Sequence, residues 1–142
     1  MALARLIYAS RKADNMEMPD ILRILDTATK NNKRHGITGL LCFTENMFMQ
    51  VLEGDSFLIN QLYRNIAKDE RHRDVNLIDY SFVWQREFPD WAMGFVDMEK
   101  VSTKGLDICA RQKIPLKSLD PYALDATRAL WMLKELSKTL HR

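Results

Sequence analysis

Two side chains that can carry a hydrogen bond lie inside apolar segments of this sequence. Gln50 lies between Met49 and Val51, in a run that is apolar at both alternating positions, so strand alternation does not turn its amide to solvent. A buried amide without hydrogen bonds costs about 1–3 kcal/mol. Tyr8 lies in another short apolar run, and a buried hydroxyl also needs a partner. If the first and third strands are neighbours, Tyr8 and Gln50 can meet.

Two adjacent amides, Asn31 and Asn32, lie near the end of the first predicted helix. They offer donors and acceptors to a polar planar ligand. The alternative is a solvated helix end, where asparagine is common.

A basic cluster, Arg71, His72 and Arg73, follows the second predicted helix and could hold a phosphate through charge-assisted hydrogen bonds. A solvated cluster in a loop is the alternative interpretation. Trp91 leads into the last predicted strand and Met93 begins it, at a place where an indole and a thioether ordinarily fill a core.

Catalytic and metal sites are not indicated, and we expect no enzyme. Three histidines are present, none beside a Ser or Cys nucleophile in a recognisable motif: His35, His72 and His141. Cys42 and Cys109 are far apart and lack metal-site spacing, so neither a metal site nor a disulfide framework is expected.

Length and charge exclude further classes. With 142 residues the chain has the size of one domain, and 21 Lys and Arg against 19 Asp and Glu give a formal charge of +2, unlike a nucleic-acid binder. No apolar run approaches the length of a membrane span or a signal peptide core. We expect a cytoplasmic protein that binds neither nucleic acid nor membrane.

The hydrophobic pattern predicts the elements that must position these residues. Strands are predicted at residues 5–10, 37–43, 47–52, 75–84 and 93–98. The first helix is predicted to open near Pro19 and to stop at Gly36, and Asp55 and Ser56 supply cap oxygens for the second. Each helix carries one apolar stripe and needs a sheet face to cover.

This order of elements predicts a ferredoxin-like α+β sandwich, with a five-stranded sheet and two helices on one face. We assign residues 1–100 to that unit. Residues 101–142 are predicted to be a C-terminal helical extension of the same domain, packed on the other sheet face because a bare apolar face favours association. It comprises a weak helix at 106–111 and a stronger one that opens at Asp120 and Pro121.

Six short blocks, taken in order, resemble the signature of the BLUF family, the sensors of blue light using flavin. They are residues 6–10, 31–32, 36–41, 48–54, 69–72 and 91–93, and the resemblance runs from residue 3 to about residue 98. The chain is similar to the short stand-alone members, which act through a separate effector or regulator protein and commonly form homo-oligomers.

The resemblance implies a flavin-binding site, with FAD as the cofactor and FMN as the alternative. The flavin ring would lie between the two helices, with Ile24 and Ile66 on its opposite faces. Further residues implied in binding are the amides of Asn31, Asn32 and Gln50 at the polar ring edge, and Arg71 and His72 near the phosphate end.

The resemblance also implies a photoswitch. Excited flavin takes an electron and then a proton from Tyr8, and their return leaves Gln50 rotated or tautomerised. The signal would leave through Trp91 and Met93 toward the C-terminal helices, and the family pattern leaves open which of the two faces inward in the dark.

Two other functions suit a ferredoxin-like sandwich. An RNA-binding or small-ligand module is disfavoured by the balanced charge and by the lack of a stacking platform of aromatic residues. A small acylphosphatase-like hydrolase needs a phosphate-cradling loop, and residues 11–17 are not glycine-rich. Colour separates the three hypotheses, because only the flavin sensor should purify yellow.

Overall fold

The computed structural model describes residues 2–100 and 120–140, and its centre is a five-stranded sheet. The strands are β1 (Leu3–Lys12), β2 (Thr38–Phe43), β3 (Met47–Asp55), β4 (His72–Phe82) and β5 (Gly94–Asp97). Their order across the sheet is β4-β1-β3-β2-β5. All neighbours are antiparallel except β2 and β5, so the sheet is mixed.

Two helices cover one face of the sheet, and local sequence determines where they begin and end. In α1 (Met18–His35), Pro19 occupies the first turn, and Gly36 ends the helix in the left-handed conformation with φ 66°. In α2 (Ser56–Lys68), the Asp55 side chain caps the first turn by accepting a hydrogen bond from the Leu58 amide.

The sheet separates two cores. Successive side chains along a strand point to opposite faces of the sheet. In β1, Leu6 and Tyr8 pack with α1 and α2, while Ile7 packs on the other face. That other side is covered by α3 (Ala126–Ser137), which Asp125 caps and which buries Leu133 and Leu136 against the sheet.

The predicted fold class is confirmed, because the structure has a five-stranded mixed sheet with helices on both sides. The strand boundaries differ from the predicted ones by up to three residues. The helix α1 ends at His35 with Gly36 as its cap, as predicted, so Asn31 and Asn32 lie inside the helix near its C-terminal end. The strand β4 begins at His72, so part of the basic cluster lies in a strand rather than a loop. Asp120 and Pro121 open a 3-10 turn (Pro121–Ala123), because Leu124 is extended and the α-helical hydrogen bonds begin only after Asp125.

Several predictions on the C-terminal region are not tested. The helix at 106–111 lies outside the described residues, as do Cys109 and His141, and the division at residue 100 stays a prediction. In the ranges 2–100 and 120–140, none of the helices is both long and apolar enough to cross a membrane.

Candidate functional site

The strand register places Tyr8 opposite Gln50. The two residues are direct partners in the antiparallel pair of β1 and β3, and both side chains point toward the helices. The Tyr8 hydroxyl donates a hydrogen bond to Gln50 Oε1. The Tyr8 side chain is fully buried, and Gln50 is 6% exposed, so water does not compete for this bond. Burial also raises the pKa of the Tyr8 phenol far above its ordinary value, which keeps it protonated.

The other end of the Gln50 amide contacts Met93. Gln50 Nε2 donates to Met93 Sδ at 3.2 Å, and Met93 is buried in the core under α1 and α2. Trp91 is half-buried, and its carbonyl accepts a hydrogen bond from the Gly39 amide at 3.0 Å. The Met93 side chain therefore contacts Gln50 directly.

Asn32 is a buried amide with one end unpaired. Its Nδ2 donates to the Ala92 carbonyl at 2.7 Å, which ties α1 to the segment before β5. Among the described residues, its Oδ1 is buried without a hydrogen-bond partner. A buried carbonyl oxygen without a partner costs free energy, so this atom indicates a ligand that brings an N–H donor.

A cavity of about 280 Å³ lies between α1 and α2 and opens on these groups. Its lining includes eight residues that the sequence predicted: Tyr8, Ile24, Asn31, Asn32, Gln50, Ile66, Arg71 and His72. Two isoleucines and three amides around one space suit a flat ring with apolar faces and a polar edge. A flavin ring has this character and carries an N–H on its polar edge, so the residues present fit the predicted cofactor.

The cavity also contains residues that the sequence did not single out. Asn65 and Asp69 line it from α2 and the turn that follows. The sequence offered one indication for Asn65: it is a polar residue next to Ile66, which lies on the apolar stripe of α2. Asp69 belongs to the sequence block 69–72, but no pattern in the sequence assigned its side chain to the cavity.

The basic cluster is less cationic than its sequence suggests. Arg71 Nε donates to Asp69 Oδ1 at 3.0 Å, and Arg73 forms an exposed ion pair with Asp14 at 3.1 Å. The hydrogen bond from Arg71 holds the pKa of the Asp69 carboxyl below its usual value.

His72 is buried at the start of β4, with Nδ1 2.9 Å from Ser10 Oγ. Burial lowers the pKa of His72 to about 4, so its imidazole is neutral near pH 7. Arg71 and His72 also line a second opening of about 570 Å³ next to the first cavity.

Comparison with known proteins decides the family. The family model described as "BLUF: Sensors of blue-light using FAD" matches residues 3–94, which is more than half of the chain. This chain belongs to the BLUF family. BLUF proteins are blue-light sensors that carry a flavin, and the family predicted from the six sequence blocks is confirmed.

The relatives of this BLUF chain include much longer proteins. It is 32% identical over 102 residues to the photoactivated adenylate cyclase subunit beta of Euglena gracilis, covering 71% of this chain and 12% of that protein. It is 29% identical over 96 residues to the blue light- and temperature-regulated antirepressor BluF of Escherichia coli (strain K12), covering 68% and 24%. The chain therefore spans a small part of these curated relatives.

Solved BLUF structures match over almost the whole chain. The photo-activated state of BlsA has a TM-score of 0.84 and 27% identity, with 94% of each chain covered. The dark-state structure of BlrB, a BLUF protein, has a TM-score of 0.78 and 26% identity, with 98% of each chain covered.

Proposed function

We propose that this BLUF chain senses blue light through a Tyr8–Gln50 hydrogen-bond switch and signals to a separate protein, without catalytic activity of its own. The observation that carries the proposal is the buried chain of donors and acceptors from the Tyr8 hydroxyl through Gln50 to Met93, at the wall of a cavity suited to a flavin.

The same residues would hold the flavin. Ile24 and Ile66 would pack on its faces, and Asn31 and Asn32 would bind its polar edge, with Asn32 Oδ1 accepting a hydrogen bond. Arg71 would stay near the phosphate end as a cation already shared with Asp69, while His72 contributes shape rather than charge.

When bound, a flavin supplies a chromophore that absorbs blue light and, once excited, accepts one electron and one proton. Tyr8 would supply that electron and, from its hydroxyl oxygen, that proton by way of Gln50, whose Oε1 would take up one proton as its Nε2 releases one. Both would return to Tyr8 before the lit state is reached, so that state holds an unreduced flavin. Burial raises the pKa of the Tyr8 phenol, so a phenolate is not stabilised there, and the proton would leave with the electron or after it, not before it.

Gln50 can then settle in a second orientation. Its amide has a donating and an accepting end, and the Tyr8 hydroxyl can either donate or accept. Met93 cannot adapt in this way, because a thioether sulfur only accepts. Reversal of the amide therefore breaks the bond from Nε2 to Met93 Sδ, and the rearrangement reaches the start of β5.

The decisive experiment is the visible absorption spectrum of the purified yellow protein before and after blue illumination. We expect a small shift to the red that reverses in the dark, because a changed hydrogen bond perturbs the flavin ring without reducing it. A colourless protein would contradict flavin binding, and bleaching without recovery would indicate redox chemistry instead of a switch.

The finer properties are proposed from the family and from the space available. The second opening beside Arg71 and His72 offers room for a nucleotide tail, which supports FAD over FMN. Chromatography of the flavin released by acid distinguishes the two. Light-dependent copurification of an effector or regulator protein tests the signalling role, and light scattering tests the proposed homo-oligomer.

A further inference from the structure

Residues 88–93, called the strap below, connect the two cores of the molecule. At one end Phe88 is fully buried in the core under α3, and at the other Met93 is buried in the core under α1 and α2. Between them the strap passes the start of β2, where the Gly39 amide donates to the Trp91 carbonyl. Movement of Met93 is therefore linked to Phe88 through a few residues of backbone.

A buried carboxylate holds the Phe88 end of the strap. Glu53 is fully buried on β3, and its alternation with Gln50 along the strand places it on the α3 side. It accepts hydrogen bonds from the Phe88 amide at 2.7 Å and from the Glu87 amide at 2.9 Å, and it pairs with Arg5 Nε at 2.9 Å. Charge-assisted bonds of this kind are roughly twice as strong as neutral ones.

The two residues that precede the strap, Arg86 and Glu87, are bound to other elements of the fold. Arg86 donates to Thr38 Oγ1 and to the Gly36 carbonyl, both at 2.7 Å. Glu87 forms an ion pair with Lys134 of α3 at 3.2 Å. The strap is thus joined to the end of α1, to β3 and to α3, and Met93 is the point at which it contacts the switch.

We propose that Glu53 is a positioning residue of the photoswitch: by anchoring the strap at Phe88, its carboxylate keeps Met93 against Gln50 and so sets how long the lit state lasts. This inference rests on the proposed function, and extends it to a residue that does not line the flavin cavity. With the anchor removed, Met93 moves more freely, and the barrier to restoring the dark arrangement of Gln50 falls.

The test compares two double variants that both lack the buried ion pair. Arg5→Met/Glu53→Gln keeps a carbonyl oxygen that can accept from the Phe88 amide, whereas Arg5→Met/Glu53→Leu removes every acceptor. Removing both charges together avoids leaving one buried and unpaired. We expect the leucine variant to recover in the dark about tenfold faster than the wild type, and the glutamine variant to stay within about twofold. Loss of the buried ion pair itself affects both variants and does not separate them.

A measurement on the wild-type protein keeps the inference open to refutation if the leucine variant does not fold. Hydrogen exchange of the Glu87 and Phe88 amides should become faster under blue light. The inference is overturned if the red shift occurs without that change, or if the two double variants recover at the same rate. If the wild type shows no red shift, the proposed function fails and this inference fails with it.

Discussion

At the scale of single residues, the proposed switch would depend on the different hydrogen-bonding capacities of the two neighbours of Gln50. The Tyr8 hydroxyl can donate or accept, while Met93 Sδ only accepts, so the present arrangement, with Oε1 toward Tyr8 and Nε2 toward Met93, satisfies both contacts. A reversed amide satisfies only one. The chemistry of these two neighbours therefore favours the orientation of Gln50 seen in the structure, which we propose is the dark one.

We predict that Gln50→Leu retains flavin but loses the light-induced red shift, because leucine has no amide to reorient. Tyr8→Phe should behave in the same way, since it removes the donor to Gln50 Oε1. Tyr63→Phe is the matched control: its ring lies 5.9 Å from that of Tyr8, and we expect it to keep the shift. Absorption difference spectra check all three, and a normal shift in Gln50→Leu would contradict the switch while sparing flavin binding.

A second prediction concerns Asn32. Asn32→Ala removes both the unpaired Oδ1 and the bond from Nδ2 to the Ala92 carbonyl. We expect flavin affinity to fall about tenfold or more, since one hydrogen bond to a buried polar group is worth on the order of 1–2 kcal/mol. Flavin content per protein after gel filtration measures the effect. Asn76→Ala, at an exposed position of β4, serves as the control and should retain full loading.

At the scale of elements, the close contact between β2 and β3 depends on a residue without a side chain. A Cβ added at Gly39 would lie 2.0 Å from the Val51 carbonyl oxygen, a backbone atom that cannot turn aside. The strand β3 lies between β1 and β2, so Gln50 pairs with Tyr8 on one side and with Leu41 on the other.

We therefore predict that Gly39→Ala lowers the free energy of unfolding by about 3 kcal/mol or more, the upper end of the range for overpacking. Gly36→Ala is the matched control: no atom lies within 4 Å of an added Cβ, and only its φ of 66° opposes alanine, at a cost of about 1 kcal/mol. Urea unfolding measures both. If both variants lost the same free energy of unfolding, β2 would be able to move away from β3 at no cost in stability, which would contradict the prediction.

Most elements were predictable because their signals are local. Pro19 and Gly36 mark the ends of α1, and Asp55 caps α2, so three residues determine most of the helical boundaries. The start of β4 was missed because His72 looks like part of a charged loop. Its burial depends on Ser10, which is far away in sequence, and no pattern near His72 reveals that contact.

At the scale of the whole molecule, the sequence predicted the layers but not the connection between them. The Tyr8–Gln50 contact was foreseen, since both residues lie in apolar runs that the fold makes neighbours. The role of Glu53 was not, because its partners Arg5, Glu87 and Phe88 are brought to it only by the assembled sheet and strap. Long-range partners of a buried charge have no signature in a single sequence.

Folding stability as a function of pH gives a further prediction. The pKa of His72 is lowered by burial from 6.5 to about 4, so the unfolded chain binds a proton in that interval that the folded protein does not. The stability that comes from keeping His72 neutral is fully present above pH 6.5. As the pH falls from 6.5 toward 4 it is lost, and the free energy of unfolding drops by about 3 kcal/mol. The Asp69 carboxyl, whose pKa is held below its ordinary value of 3.8 by the hydrogen bond from Arg71, titrates below this interval.

His72→Asn should flatten the fall in unfolding free energy between pH 6.5 and 4, as measured by urea unfolding at a series of pH values. His35→Asn, at an exposed position near the end of α1, is the control. If His72→Asn showed the same dependence on pH as the wild type, His72 would not be the group responsible.

In the proposed switch, the Met93 thioether beside Gln50 would also determine how often the sensor signals without light. Random thermal reversal of the amide would produce a false signal, and its frequency depends on how much worse the reversed state is. If losing the bond to Met93 Sδ costs about 1.4 kcal/mol, then about one molecule in ten is reversed without light, and each further 1.4 kcal/mol lowers that background tenfold. If the residue at position 93 could both donate and accept, the two orientations of the Gln50 amide would have similar free energies, and darkness would no longer favour one of them.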